Sequence, residues 1–319
     1  MYKIKNLVAS VIFMIPLAHY SQHTDEINSN RPGETMSAYA IGKSVIQVET
    51  GIYGIKEQHD IQNYEGNGFG LDITLRCGLF KEKLEFIADL QYQYEQFSAP
   101  MSSYDKSAFR QTVLGAKYLI YDPFKNYKKK VNVLSWKANH AFDWHQLVPA
   151  VSLYAGANII LTDNPYYFTP DGGISPKVTL ITQNHLGDGS FVFVTNIIAD
   201  YIGTDYPSYG YVITLTKGLS QKWSAFLEIQ GYKSDFYSDS IFRGGAAYLL
   251  GKDMQLDTSI GTSLKGTPSM IYGGVGFSWR YDAKYKEVKI DIDKGKKGKG
   301  KNKSKDKDSS KKRKDQVTP

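Results

Sequence analysis

The sequence predicts an all-β protein: a transmembrane antiparallel up-and-down β-barrel of about 12 strands, with an N-terminal signal peptide and a disordered basic C-terminal tail. Three observations predict it. Residues 44–282 alternate apolar and polar side chains in segments of about ten residues, as strands do when one face meets lipid and the other a polar interior. The chain of 319 residues is 41% hydrophobic yet contains no run of eighteen apolar residues, so a spanning helix is excluded. Tyrosine, at 24 residues, is unusually common, and its amphipathic ring favours the headgroup level of a bilayer.

Residues 1–21 read as an export signal. Lys3 and Lys5 supply the positive start, an apolar stretch runs from Leu7 to Ala18, and polar Tyr20-Ser21-Gln22-His23 places cleavage near Ser21/Gln22. The apolar stretch is too short to anchor the chain as a helix. Cys77 is the only cysteine, which excludes an intramolecular disulfide, a CxxC metal knuckle and a redox pair.

Residues 22–43 form a separate N-terminal segment, periplasmic or inserted into the lumen, around Asn30-Arg31-Pro32-Gly33-Glu34-Thr35-Met36-Ser37. The Pro-Gly pair favours a tight turn, and Arg31 beside Glu34 is expected to dock onto lumen charges.

The barrel is expected over residues 44–282. In its second segment Phe69, Leu71, Ile73, Leu75, Cys77 and Leu79 fall on one face, opposite Gly70, Asp72, Thr74, Arg76 and Gly78. The third sets Leu84, Phe86, Ala88, Leu90, Tyr92 and Tyr94 against Glu85, Asp89, Gln91 and Gln93. Near the end, Met254, Leu256, Thr258, Ile260, Thr262 and Leu264 alternate with Gln255, Asp257, Ser259, Gly261 and Ser263. Strands are predicted near 44–55, 68–79, 84–95, 110–121, 147–160, 175–186, 190–201, 208–219, 223–233, 240–250, 254–264 and 270–282. An even number returns both termini to one side, the periplasm in a single-chain bacterial barrel.

Such barrels have short periplasmic turns and longer external loops. External loops are accordingly expected at 57–67, 96–109 and 161–174, with tight turns at 81–83, 187–189, 220–222 and 251–253. The short external connection at 265–268 and the long periplasmic one at 122–146 break the rule. Trp136, Phe142, Trp144 and Leu147 in the latter suit either a short amphipathic helix closing that mouth or an extra hairpin. Tyr118, Tyr121, Tyr166, Tyr167, Tyr201, Tyr206, Tyr209, Tyr211, Trp223, Trp279 and Tyr281 gather at strand ends as an expected aromatic girdle.

Residues 283–319 carry 15 basic against 6 acidic residues, while the rest of the chain without Lys3 and Lys5 carries 22 basic and 26 acidic ones. The formal net charge of +7 therefore belongs to the tail. Its composition cannot bury enough apolar area to fold. An exported polycation points to acidic periplasmic or membrane groups as partners, and not to nucleic acid.

Catalytic motifs are missing. There is no Gly-x-Ser-x-Gly elbow, HExxH or P-loop, and no Ser, His and carboxylate cluster at the lipid face that a membrane hydrolase needs. His140 and His145, five apart, are a weak metal candidate. Gly66-Asn67-Gly68-Phe69-Gly70 looks like a nucleotide-binding run but has no βαβ unit around it. No cofactor, metal or enzymatic activity is expected.

The functional candidates are charges whose parity points them into the lumen: Glu49, Asp72, Arg76, Glu85, Asp89, Lys117, Asp200, Glu228, Arg243, Asp257 and Arg280. On the lipid face Arg or Lys costs roughly 2 to 4 kcal/mol at mid-membrane, which demands the inward parity. They either set the selectivity of a channel or fill a narrow barrel with ion pairs.

Arg31-Pro32-Gly33-Glu34-Thr35, followed by Gly42-Lys43-Ser44-Val45-Ile46-Gln47-Val48-Glu49-Thr50-Gly51, resembles the start of the MetA-pathway of phenol degradation family. Leu114-Gly115-Ala116-Lys117-Tyr118 with Asp122-Pro123, and the closing Gly273-Gly274-Val275-Gly276-Phe277-Ser278-Trp279, are similar to it as well, so the resemblance spans residues 30–282. Members commonly carry Asp where this chain has Asn30. The resemblance implies an outer-membrane barrel of the transporter type that passes small hydrophobic or aromatic molecules. A passive channel through outer-membrane lipid is thus the leading expectation, and a closed anchoring barrel whose loops or tail bind a partner is the alternative.

Overall fold

The computed structural model describes residues 26–283 except 101, 126, 128–133, 136–142, 162–163, 168–172, 188 and 236–237. The expected signal and tail therefore lie outside the described residues, as do Trp136, His140 and Phe142.

Twelve antiparallel strands close into one barrel, each hydrogen-bonded to its neighbours in sequence, with β1 (Val45–His59) pairing β12 (Ser269–Asp282) to seal it. Between them run β2 (Tyr64–Cys77), β3 (Leu84–Ala99), β4 (Ser102–Tyr121), β5 (Ala150–Ile160), β6 (Gly173–Leu186) and β7 (Phe191–Asp200). They are followed by β8 (Ser208–Gly218), β9 (Trp223–Ser234), β10 (Ser238–Leu249) and β11 (Met254–Ser263). Closure leaves no free sheet edge, which is what lets a sheet cross lipid. Val45 pairs with Asp282, so the chain enters and leaves the barrel at one rim, here the near rim.

Alternation sorts the two faces. Ile52, Phe69, Leu75, Leu227, Leu256, Ile260 and Val275 are exposed on the outside. Gln47, Glu49, Arg76, Glu85, Lys117, Glu228 and Ser278 are buried within. An apolar exterior around a polar interior inverts the order of a water-soluble barrel and identifies lipid as the outer solvent. Near the near rim Tyr118, Tyr121, Trp223, Trp279 and Tyr281 are exposed, and near the far rim Tyr209 and Tyr211, giving the aromatic belts.

Three expectations about the connections need correction. The expected loops at 57–67 and 96–109 shrink to short turns, because β1 and β2 pair as far as His59–Tyr64 and β3 and β4 as far as Ala99–Ser102. Above the bilayer the outer face has no need to be apolar, so the alternation fades while the hydrogen-bond ladder continues. Tyr166 and Tyr167 leave the girdle: Tyr166 Oη donates to the Gln93 carbonyl at 3.3 Å and Tyr167 Oη to the Arg110 carbonyl at 2.8 Å, next to the lumen. In the 122–149 connection the described residues hold a single 3-10 turn, Trp144–Leu147, and β5 starts at Ala150 rather than 147. Gln146 ties this turn to the barrel, its carbonyl accepting from Asn184 Nδ2 and its Oε1 from the Gly187 N–H, both at 3.1 Å.

Candidate functional site

Residues 26–41 run inside the barrel. A segment there must satisfy its backbone polar groups without a ladder, and the lumen side chains supply the partners. Arg280 Nη1 donates to the Glu26 carbonyl at 2.7 Å, Arg76 Nη1 to the Asn28 carbonyl at 2.8 Å, and Gln255 Nε2 to the Arg31 carbonyl at 3.1 Å. Asn196 holds Met36 from both sides, accepting its N–H at 2.6 Å and donating to its carbonyl at 3.0 Å. Gln183 Oε1 accepts from the Ala38 N–H at 2.9 Å, and Lys117 Nζ donates to the Ser37 carbonyl at 2.7 Å. Glu85 Oε2 accepts from the Ile41 N–H at 3.0 Å. Gly42 then turns the chain into β1 with φ of 94°, a conformation that glycine adopts without strain.

Two forces hold this segment in place. On the β3–β7 side, Ala38 packs in a small apolar core with Ile87, Val113, Leu119, Tyr154 and Ile181, flanked by Met36 and Tyr39. Burial, with Asp122 nearby, pushes the Tyr39 hydroxyl well above its ordinary pKa, so it stays neutral. On the opposite side the hold is ionic. The register aligns Asp257, Gly276, Gly51 and Asp72 in one row across β11, β12, β1 and β2. The Arg31 guanidinium lies over the two glycines and bridges both carboxylates, with Nη2 at 3.3 Å from Asp257 and Nη1 paired with Asp72. A Cβ at either glycine would overlap the guanidinium.

The remaining sequence-derived candidates divide into groups. Arg76 joins Glu49 at 2.9 Å and Glu85 at 2.7 Å, and Lys117 meets Glu85 at 3.4 Å, making one buried network across β1–β4. Glu228 pairs with Arg243 and accepts from the Glu34 backbone N–H at 3.1 Å and from Thr35 Oγ1 at 2.8 Å, while the Glu34 carboxylate lies 3.6 Å from Arg243. Asp200 stands apart with Lys177 at 3.1 Å, and Asp89 with Thr74 at 2.6 Å. Asn30 donates its backbone N–H to Glu49 at 3.1 Å, and its side chain accepts from the Ser37 N–H.

Above the segment the described residues enclose two cavities. An inner cavity of about 300 Å³ is floored by residues 30–34 and Met36 and walled by Tyr53, Asp89, Arg110, Lys177, Tyr232, Arg243 and Tyr272. An outer cavity of about 470 Å³ is lined by Glu57, Tyr64, Glu95, Phe97, Tyr104, Lys106, Tyr166 and Tyr167. Ile55, Arg110 and Met270 border both. Burial keeps the Tyr166 and Tyr167 hydroxyls above their ordinary pKa, so they remain hydrogen-bond donors.

Several of these residues are not among the sequence-derived candidates. Lys177 shares parity with Thr179 and Gln183, a signal that was there to read. Arg110 gave none. By alternation with Leu114 it belongs on lipid, but Gln91 pairs with Gln111 and Tyr92 with Phe109, leaving Arg110 as a bulge whose side chain reaches Gln93 inside.

The family model described as "Putative MetA-pathway of phenol degradation" matches residues 29–281. The chain belongs to this family. The match begins within the lumen segment and runs through β12, so the family pattern takes in segment and barrel together. No curated protein matches the chain. Among solved structures, an outer membrane channel from Pseudomonas putida F1 is similar with a TM-score of 0.49 and 11% identity, covering 79% of this chain and 100% of that one. The translocator domain of the autotransporter NalP from Neisseria meningitidis aligns at 0.46 and 10% identity, over 79% of this chain and 90% of its own. The CymD monoaromatic hydrocarbon channel aligns at 0.41 and 10% identity, over 75% and 89%.

Proposed function

We propose that this member of the family is a passive outer-membrane channel for small molecules, aromatic ones included, with residues 22–43 acting as a displaceable plug. One observation carries the reading: a closed barrel with an apolar exterior keeps two adjoining cavities in its lumen, walled by charges and tyrosines, directly above a segment that leads into β1 and is seated in the lumen by noncovalent bonds alone. Selectivity then falls to the lumen charges, and passage requires the segment to shift. The near rim faces the periplasm, the chain is exported by the signal at residues 1–21, and the basic tail of residues 283–319 contacts acidic periplasmic or membrane groups.

Reconstitution into planar bilayers and liposomes tests this. Conductance by the wild-type protein, and swelling of liposomes in small neutral solutes, is the expected result. A second reading, a closed anchoring barrel, draws on the many bonds that seat residues 26–41. A barrel that stays silent and solute-impermeant, even when the segment is loosened by substitution, would select that reading.

A further inference from the structure

Five arginines lie among the described residues. Arg31, Arg76, Arg243 and Arg280 each have a carboxylate oxygen within 4.0 Å. Arg110 has none. Its Nη1 donates to Gln93 Oε1 at 3.0 Å, an atom that also accepts from the Tyr53 hydroxyl at 2.7 Å. A lumen arginine with no described carboxylate in contact keeps donors of its planar fork available for an incoming group.

Position strengthens the case. The bulge in β4 turns Arg110 away from lipid to the place where the inner and outer cavities adjoin, so a solute moving between them passes its guanidinium. Tyr167 Oη fixes the Arg110 carbonyl at 2.8 Å, and the rings of Tyr53, Tyr166 and Tyr167 line the same space. The acids on the way are Glu34, which faces Arg243 at 3.6 Å, Glu57, bonded to the Tyr64 hydroxyl at 2.5 Å, and Glu95 and Asp89 on β3. A guanidinium matches a carboxylate with two parallel hydrogen bonds, and tyrosine rings offer flat apolar faces to another ring.

Building on the channel reading, we propose that Arg110 is the specificity-determining residue and that the solute it selects is a small organic anion, one aromatic ring bearing a carboxylate. The carboxylate exchanges its water for the Arg110 fork while the ring lies among the tyrosines, so crossing between the cavities loses little solvation.

The test uses full-chain protein in liposomes and compares fluxes of benzoate, neutral benzamide and cationic benzylamine through wild type, Arg110→Gln and Arg110→Lys. Wild type is expected to pass benzoate about tenfold faster than benzamide, the scale of one charge-assisted hydrogen-bond pair. Arg110→Gln should erase that ratio, and Arg110→Lys, with charge but no fork, should keep only part of it. Equal benzoate and benzamide rates in wild type, a preference for benzylamine, or a benzoate advantage that survives in Arg110→Gln would overturn the inference. Failure of wild type to pass any of the three refutes the channel reading instead. Should Arg110→Gln not refold, Arg110→Lys and the wild-type ratio decide.

Discussion

Replacing Arg31 by alanine removes the side chain that bridges Asp72 and Asp257 and leaves Asp257, whose side chain is fully buried, without its cation. Breaking a buried pair in this way costs about 3 to 5 kcal/mol. A cavity lies above the pair and Asp72 is partly exposed, so the lower end applies, about 3 kcal/mol, which converts to roughly a hundredfold shift between seated and displaced plug. A barrel open for about one part in a thousand would then be open for about one part in ten. Single-channel recording reads this directly as open probability, and labelling of Asn30→Cys by a membrane-impermeant thiol reagent reads exposure of the segment. Gly276→Val should reproduce the effect without touching any charge, because its side chain needs the volume the guanidinium occupies. If Arg31→Ala and Gly276→Val both refold and both leave open probability and labelling unchanged, the plug reasoning is refuted.

Other substitutions probe the barrel itself. Ile52, 61% exposed on the lipid face, should cost roughly 2 to 4 kcal/mol when changed to Arg, measured by denaturant unfolding in lipid vesicles, whereas Glu57→Gln beyond the belt should cost far less. Glu85→Ala leaves Arg76 and Lys117 without their shared carboxylate and the Ile41 N–H without its acceptor, so a loss of about 3 to 5 kcal/mol is expected as a lowered temperature of heat-modifiable gel migration. Unchanged migration would show that the buried network is dispensable.

The strands were legible because alternation is local. Each side chain between Phe69 and Leu79, or between Met254 and Leu264, declares its solvent through its own chemistry, and period two converts that into strand, face and even strand number. The same reading fails where lipid is absent, as along 56–67, where paired strands carry polar residues on both faces.

Across the lipid-crossing stretches with regular ladders, the sequence by itself determined which residues face lipid and which face the lumen, because one rule of solvation acts at each position. It held no information on who meets whom across the lumen. Arg31 finds Asp72 and Asp257 over Gly51 and Gly276 only because closure sets β11, β12, β1 and β2 side by side in a particular register. Arg110 turns inward through one extra residue in a ladder, a shift that leaves no trace in hydropathy. Those contacts join residues far apart in the chain, and their geometry exists only once the cylinder is shut.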